Sequence, residues 1–132
     1  MGFDQYHEPP DELPAETRTF ARMCASLTEE AEAIGWYEQR LAVETDSGAL
    51  AIMRDAQGEE FKHFSMDLEF LLRRTPLWRE IAVGILFQAG DIVAHGEESE
   101  ARATSDGGTG NSDGDGGHAG SLRIGDDAGS PR

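Results

Sequence analysis

Residues 59–63 read Glu59-Glu60-Phe61-Lys62-His63 and lie in the middle of a stretch that is typical of an apolar helix. Residues three apart share one helical face, so Glu60 and His63 can present a carboxylate and an imidazole to the same point. Pairs of this kind build di-metal sites in four-helix bundles when a neighbouring helix adds one further glutamate per metal. Glu30 is the candidate for that glutamate. Because the chain holds one such set, either it has no such site or two chains build one together.

A first helix is predicted from about residue 14 to residue 44. Pro14 suits a first helical position, where its missing N–H is no loss. Large side chains recur every seven residues in two rows that form a seam typical of helix–helix packing, namely Phe20, Leu27, Ile34 and Leu41, and Met23, Glu30 and Tyr37. Glu30 stands where this seam expects an apolar residue. Burying a carboxylate is costly unless a cation or donor compensates it, which makes Glu30 the most informative residue of the helix.

A second helix is predicted from about residue 47 to residue 74, because Thr75 precedes Pro76 and resists helical geometry. The short break at residues 45–48 indicates an antiparallel hairpin. Glu60 lies near the centre of the apolar face of this second helix. A third, shorter helix is predicted from Pro76 to about Phe87, with an apolar stripe that includes Trp78, Ile81 and Ile85.

The two long helices place Glu30 and Glu60 at the same level, since both lie about fourteen residues from the turn near residue 46. One hairpin cannot cover both of its apolar faces. Two hairpins related by a two-fold axis form a four-helix bundle and supply two lone glutamates and two Glu-x-x-His pairs. The fold expected is therefore all-α: an antiparallel hairpin plus a short third helix, dimerising into a four-helix bundle.

Three segments divide the 132 residues. Residues 1–13 are predicted to form an irregular N-terminal arm, and residues 14–97 a single helical domain. Residues 98–132 consist mostly of Gly, Ser, Asp, Thr and Ala, which is typical of a disordered tail. One island, Ser121-Leu122-Arg123-Ile124-Gly125, carries two aliphatic side chains and is a candidate binding motif.

The charge balance favours cations. The chain has 26 acidic residues against 11 Lys and Arg, a formal net charge of −15, which disfavours nucleic acids and anionic membranes. Cys24 is the only cysteine, so no intrachain disulfide forms and a reducing compartment is expected. The sequence shows no signal peptide and no apolar stretch of membrane-spanning length. We therefore expect a soluble, cytoplasmic protein.

An oxygen-rich ligand set with one imidazole per metal suits iron better than a structural zinc site, with manganese and zinc as candidate competitors. In this interpretation Glu60 bridges two irons, Glu30 and His63 are terminal ligands, and dioxygen oxidises the ferrous ions. Tyr37 is a candidate hydrogen-bond donor to a metal ligand or a core residue, and Trp36 is a candidate cover of the dimer seam. Glu29 and Glu32 point away from the seam centre, and form either an acidic entrance for ferrous ions or a plain solvated face.

The sequence resembles the encapsulated ferritins, a family of short ferritin-like proteins packaged inside encapsulin nanocompartments. The matching stretches are His7-Glu8-Pro9, residues 29–33, residues 36–40, residues 59–63 and residues 120–125. The resemblance implies that Glu30, Glu60 and His63 are ferroxidase ligands shared across a two-fold interface. It also implies an acidic metal entrance at Glu29 and Glu32, where calcium is a further candidate ligand, with Trp36 and Tyr37 near the site.

The same resemblance implies partners and a location. Family members form a ring of dimers, a homodecamer, in which the third helix and the N-terminal arm help to join neighbours. They oxidise Fe(II) without a closed cage, so iron storage depends on the surrounding shell. The tail motif, with Ser121, Leu122, Ile124 and Gly125, is similar to the peptide that docks on the encapsulin shell, although Arg123 replaces the family's usual glycine. The alternative is a non-catalytic helical oligomer that binds a structural divalent metal.

Overall fold

The computed structural model describes residues 5–107, in which all regular secondary structure is helical. Within this range a single turn of 3₁₀-helix, Pro10–Glu12, is followed by four α-helices: α1, Ala15–Val43; α2, Ser47–Arg74; α3, Pro76–Ile85; and α4, Ile92–Asp106. Helix α1 packs along α2, α4 packs on α3, and a smaller contact joins α2 to α3. The predicted hairpin of two long helices followed by a shorter helix is confirmed. The tail motif at residues 120–125 and the predicted disorder beyond residue 107 lie outside the described residues.

Three residues make the turn between α1 and α2, and side chains hold it in place. One oxygen of Glu44, Oε1, accepts from the backbone N–H groups of Thr45 and Asp46, at 2.8 and 2.9 Å. The carboxylate of Asp46 then caps α2 by accepting from the N–H of Ala49 at 2.8 Å. The two hydrogen bonds that Glu44 accepts from the backbone of Asp46 and Thr45 lower the pKa of its carboxyl group. A turn this short and this well bonded limits how far one long helix can slide along the other.

A fourth helix corrects the predicted boundary at residue 97. Helix α4 continues through residue 106, so residues 98–106 are helical rather than the first part of a tail. Asp91 caps this helix by accepting from the N–H groups of Val93 and Ala94. The helix buries only small side chains, Ser99 and Ala103, against its neighbour. A pattern search for large apolar residues cannot detect a face of that kind.

The α3–α4 loop contains two residues with left-handed backbone geometry. Gly90 has φ of 104°, which glycine adopts without steric cost. Phe87 has φ of 61° and its side chain is fully exposed. A left-handed backbone conformation is unfavourable for a residue with a side chain, and it costs about 1–3 kcal/mol at Phe87. The predicted third helix therefore ends at Ile85, two residues before the expected Phe87.

The described chain covers little of its own apolar surface. Within residues 5–107 the buried apolar residues are Leu71, Leu72 and Ala103. Large apolar side chains remain at least half exposed on α2 and α3, including Ile52, Phe61, Met66 and Val83. So many exposed large apolar side chains on one small unit favour packing against a further protein surface. No helix within residues 5–107 combines the length and the apolar composition needed to cross a bilayer.

The crossing of α3 and α4 depends on a glycine, which gives a first prediction. A Cβ atom at Gly84 would lie 1.9 Å from Ser99 Oγ and 2.7 Å from Ser99 Cβ, so rotating the serine cannot relieve the clash. We expect Gly84→Ala to destabilise the α3–α4 hairpin by about 1–3 kcal/mol. Hydrogen exchange of the α4 amides measures this.

The control is Gly58→Ala, because a Cβ at Gly58 meets nothing within 4 Å. That change should raise helix stability by about 0.5–1 kcal/mol. Adding Ser99→Gly to Gly84→Ala removes the clashing atoms and should restore protection of α4. Wild-type exchange rates in Gly84→Ala alone would contradict the packing described for this crossing.

Candidate metal centre

The three residues singled out at the outset meet in the structure. Glu30 lies on α1 and Glu60 and His63 lie on α2, and one ligand atom from each lies within 4.8 Å of the other two. The Nδ1 atom of His63 is 3.5 Å from Glu60 Oε2. Within residues 5–107 this is the only group of three or more His, Cys, Asp or Glu side chains close enough to hold a metal ion. The hairpin therefore brings together the predicted ligand set.

The group lies on a face of the hairpin that is still partly open. The side chain of Glu60 is 21% exposed and that of His63 is 46% exposed. A metal ion can therefore reach the carboxylates in this chain, and a second copy packed on the same face would enclose them. Two carboxylates and one imidazole also leave coordination positions unfilled, since iron and manganese sites of this kind commonly take six ligands. The donor set fits such a metal.

The pKa of Glu30 is raised because its carboxyl group lies close to that of Glu60. A side-chain hydrogen bond with Glu60 is the largest of the causes that raise the pKa of Glu30 from 4.5 to about 7. Partial burial, the charge of Glu60 and the charge of Asp67 raise this pKa further, while His63 opposes the shift. Below about pH 7 the metal-free centre therefore retains a proton that a bound cation must displace.

Glu59 adjoins the centre in sequence but is occupied elsewhere. Its carboxylate accepts a hydrogen bond from the ammonium of Lys62, and this bond is the main cause that lowers the pKa of Glu59. Its Oε2 atom is 3.9 Å from the Nε2 atom of His63. Both Glu59 and Lys62 are more than half exposed. The structure thus separates the two consecutive glutamates into a surface residue and a centre residue.

The other predicted site residues surround the centre without joining it. Glu29 and Glu32 are exposed, and neither makes an ion pair with any residue in the range 5–107. Trp36 is about half exposed, and the ring of Tyr37 lies under the guanidinium of Arg40, 5.3 Å from the ring centroid. Tyr37 lies two helical turns beyond Glu30, about 10 Å along the axis. The role of Tyr37 as a hydrogen-bond donor beside the centre and the entrance role of Glu29 and Glu32 stay predictions.

Asp67 belongs to the surroundings of the centre and was absent from the predicted site. It lies seven residues after Glu60, on the same face of α2. Its Oδ2 atom is buried and has no hydrogen-bond partner within residues 5–107. Its charge acts on Glu30, as the raised pKa of that residue records. The helical period of α2 places Asp67 near Glu60, but a single aspartate on a helix face gives no further signal from sequence alone.

Asp91 and His95 also have a spacing typical of metal ligands, because they lie four residues apart. In the structure, however, both residues stabilise the backbone. Asp91 caps α4, as described above. The Nε2 atom of His95 lies 2.8 Å from the carbonyl oxygen of Ala89 and so closes the α3–α4 loop. Both residues stabilise the start of α4, and neither belongs to a potential metal-binding group formed within residues 5–107.

Comparisons with known proteins agree with this geometry. Residues 5–89 match the family described as EncFtn-like. A Thermotoga maritima protein named "Ferritin-like protein" is 40% identical over 105 residues, which cover 80% of this chain and 92% of that protein. A Rhodospirillum rubrum protein named "Encapsulated ferritin-like protein" is 40% identical over 88 residues, which cover 67% of this chain and 63% of that protein.

A solved structure gives the same answer for the fold. The crystal structure of a protein from Nitrosomonas europaea matches with a TM-score of 0.66 and 37% identity, covering 67% of this chain and 98% of that one. The helical hairpin and the Glu/Glu/His centre thus define a ferritin-like protein. The chain belongs to the EncFtn-like family, which confirms its resemblance to the encapsulated ferritins.

The raised pKa of Glu30 fixes the direction of two pH effects. Between about pH 4.5 and pH 7 the folded, metal-free protein binds more protons at Glu30 than the unfolded chain does. This residue's contribution to the free energy of unfolding therefore falls as pH rises through that window. Metal affinity changes in the opposite sense. It rises toward pH 7 because fewer protons need to be displaced.

Carboxyl titration by NMR tests this description in the metal-free protein. We expect the side-chain carboxyl carbon of Glu30 to titrate with a midpoint near 7. Glu60→Gln should move the midpoint down toward 4.5, because an amide N–H donates to the Glu30 carboxylate and favours its charged form. Glu32→Gln, an exposed change on the same helix, should leave the midpoint unchanged. A wild-type midpoint near 4.5 would show that the two carboxylates do not share a hydrogen bond.

Proposed function

We propose that the protein is a ferroxidase that oxidises Fe(II) to Fe(III) with dioxygen at a di-iron centre. The observation that carries this proposal is the meeting of Glu30, Glu60 and His63 on a half-open face of the α1–α2 hairpin. Membership of a ferritin-like family supports iron as the substrate. Ferrous ions are the substrate here, and dioxygen is the electron acceptor.

The centre is complete only when two copies of the chain combine. One chain supplies a single Glu/Glu/His set, and a two-fold axis through the open face supplies two sets for two metal ions. The exposed apolar side chains of the hairpin favour the same contact, since pairing would remove them from water. Glu60 is the candidate bridging ligand, because it lies between Glu30 on one helix and His63 on its own helix.

The ligands favour the oxidised product on electrostatic grounds. Each ferrous ion loses one electron, and anionic carboxylates attract the resulting trivalent ion more strongly than the divalent one. Two ions in one centre supply two electrons, which together with two protons balance the reduction of one dioxygen to hydrogen peroxide. The proton held at Glu30 is released when iron binds.

The exposed acidic residues of α1 are assigned the role of attracting ferrous ions toward the centre. Glu29 and Glu32 lie beside Glu30 in sequence, and their charges raise the local concentration of cations. Calcium, manganese and zinc carry the same charge as ferrous iron and are expected competitors, calcium at this acidic entrance and the other two at the centre. Trp36 is expected to cover the dimer seam near the site, with Tyr37 as a hydrogen-bonding neighbour.

A protein shell is the proposed partner. One relative is named as an encapsulated protein, and the motif at residues 121–125 is similar to a shell-docking peptide. We propose that dimers assemble into a decameric ring that is enclosed in a cytoplasmic encapsulin compartment. Ferric product would then be stored by the shell, because an open ring has no cavity of its own.

A second candidate function has one observation in its favour. The described chain buries very few apolar residues, so a metal ion held between copies would supply stability that packing does not. In that case the Glu/Glu/His set is a structural site, and the protein is a non-catalytic metal-bound oligomer. The two candidates differ in what the loss of one ligand does to assembly.

Aerobic Fe(II) oxidation by Glu60→Ala separates them. We expect the variant to lose oxidation down to the buffer rate, because the residue between the two other ligands is missing, while size-exclusion chromatography still shows the oligomer. Asp55→Ala is the control: it removes an exposed carboxylate of α2 that makes no ion pair within residues 5–107. Equal rates in wild type and Glu60→Ala would exclude the ferroxidase, and loss of the oligomer in Glu60→Ala would favour the structural metal.

Shell docking is tested separately by changing the tail. Deleting residues 120–132 should abolish co-purification with a co-expressed encapsulin shell and leave the Fe(II) oxidation rate unchanged. Arg123→Gly restores the residue that the resemblance leads one to expect and should tighten docking. Undiminished co-purification of the truncated protein would assign docking to another part of the chain.

A further inference from the structure

Gln57 is one of the few buried residues of the described chain, and it is polar. Its exposure is 8%, and within residues 5–107 only Leu71, Leu72, Ser99 and Ala103 are buried to a similar degree. A buried amide is costly unless its hydrogen-bonding groups are satisfied. Its position therefore requires a structural reason.

The amide of Gln57 joins the two long helices. Its Nε2 atom donates to the backbone carbonyl oxygen of Ile34 at 3.3 Å and to the carboxylate oxygen Oε2 of Glu38 at 3.0 Å. Within residues 5–107 these are the only hydrogen bonds between α1 and α2 apart from the one that Glu30 and Glu60 share in the centre itself. The rest of this interface consists of side-chain packing, and packing of apolar groups is not directional.

These bonds lie one helical turn from the metal centre on both helices. Gln57 precedes Glu60 by three residues on α2, and Ile34 follows Glu30 by four residues on α1. The helices are antiparallel, so both pairs occupy neighbouring levels of the same contact. A shift of one residue along α1 moves a side chain by about 1.5 Å and turns it by about 100°. Such a shift would remove Glu30 from reach of Glu60 and His63.

We propose that Gln57 is a positioning residue of the metal centre, which sets the register of α1 against α2 through its bond to the Ile34 carbonyl. The inference rests on the proposed metal-binding function and adds a residue to it. A backbone carbonyl is a suitable reference point because it has no rotamers and moves only with its helix. Glu38 is exposed and contributes a second, more adaptable acceptor.

Cobalt(II) binding to the full-length protein tests this inference with a readout other than iron oxidation. Gln57→Leu keeps the approximate volume and removes both hydrogen bonds. We expect its Co(II) affinity to fall about 10–100-fold, as is typical when a residue that orients metal ligands is lost. The visible Co(II) absorption spectrum should also change, because the ligands no longer converge with the same geometry.

Gln39→Leu is the matched control. The Nε2 atom of Gln39 donates to the carbonyl of Gly35 at 3.3 Å, the same length as the Gln57 bond to Ile34, but this bond is exposed and stays within α1. The control should bind Co(II) with the wild-type affinity and spectrum. A purely structural role for Gln57 would lower the melting temperature and leave the Co(II) spectrum of the folded protein unchanged.

A paired exchange covers the case in which Gln57→Leu does not fold. Gln57→Glu with Glu38→Gln reverses donor and acceptor between the two side chains, so their mutual bond is kept and the bond to Ile34 is lost. Weakened Co(II) binding by this folded double variant supports the proposal. Wild-type Co(II) affinity and spectrum in either folded variant overturns it. Absence of Co(II) binding by the wild-type protein would instead refute the metal centre itself, and the positioning role with it.

Discussion

The carboxylates of Glu30 and Glu60 lie close together within one hairpin, and their charges repel each other. The behaviour of the protein depends on whether a proton or a cation compensates this repulsion. In the absence of a cation a bound proton removes this repulsion, which is why the pKa of Glu30 is raised to about 7. In the proposed function a bound cation displaces the proton, and both carboxylates then serve as ligands. His63 adds a neutral donor without adding negative charge. The same geometry is thus suited to hold a proton in the metal-free state and a metal ion in the proposed bound state.

The hairpin that creates this proximity is incomplete as a packing unit. Its long helices leave large apolar side chains exposed, and buried apolar residues are few throughout residues 5–107. A second copy related by two-fold symmetry would cover this face and would also double the ligand set. Packing and coordination therefore favour the same contact. The third and fourth helices form a separate small hairpin, joined at the close approach of Gly84 and Ser99.

The sequence predicted the parts of the structure that leave a periodic trace. The bounds of α1 and α2 follow from Pro14, the break at residues 45–48 and Pro76. The meeting of Glu30 with Glu60 and His63 follows from helical spacing and equal distances from the turn. Helix α4 leaves no such trace because its buried residues are small. The bond between Gln57 and the Ile34 carbonyl is equally hidden, since every residue has a backbone carbonyl and no side-chain pattern identifies its partner.

The hydrogen bond between Gln57 and the Ile34 carbonyl helps to distinguish a metal that is a substrate from a metal that is a structural component. A structural metal stabilises its own site, so the protein needs few other contacts to hold the ligands in place. A centre that oxidises iron must release its product and then accept the next ion in the same geometry. The bonded turn at residues 44–46 and the amide of Gln57 hold the two helices in register without any metal. Support of this kind is required by turnover, and it therefore favours the catalytic interpretation.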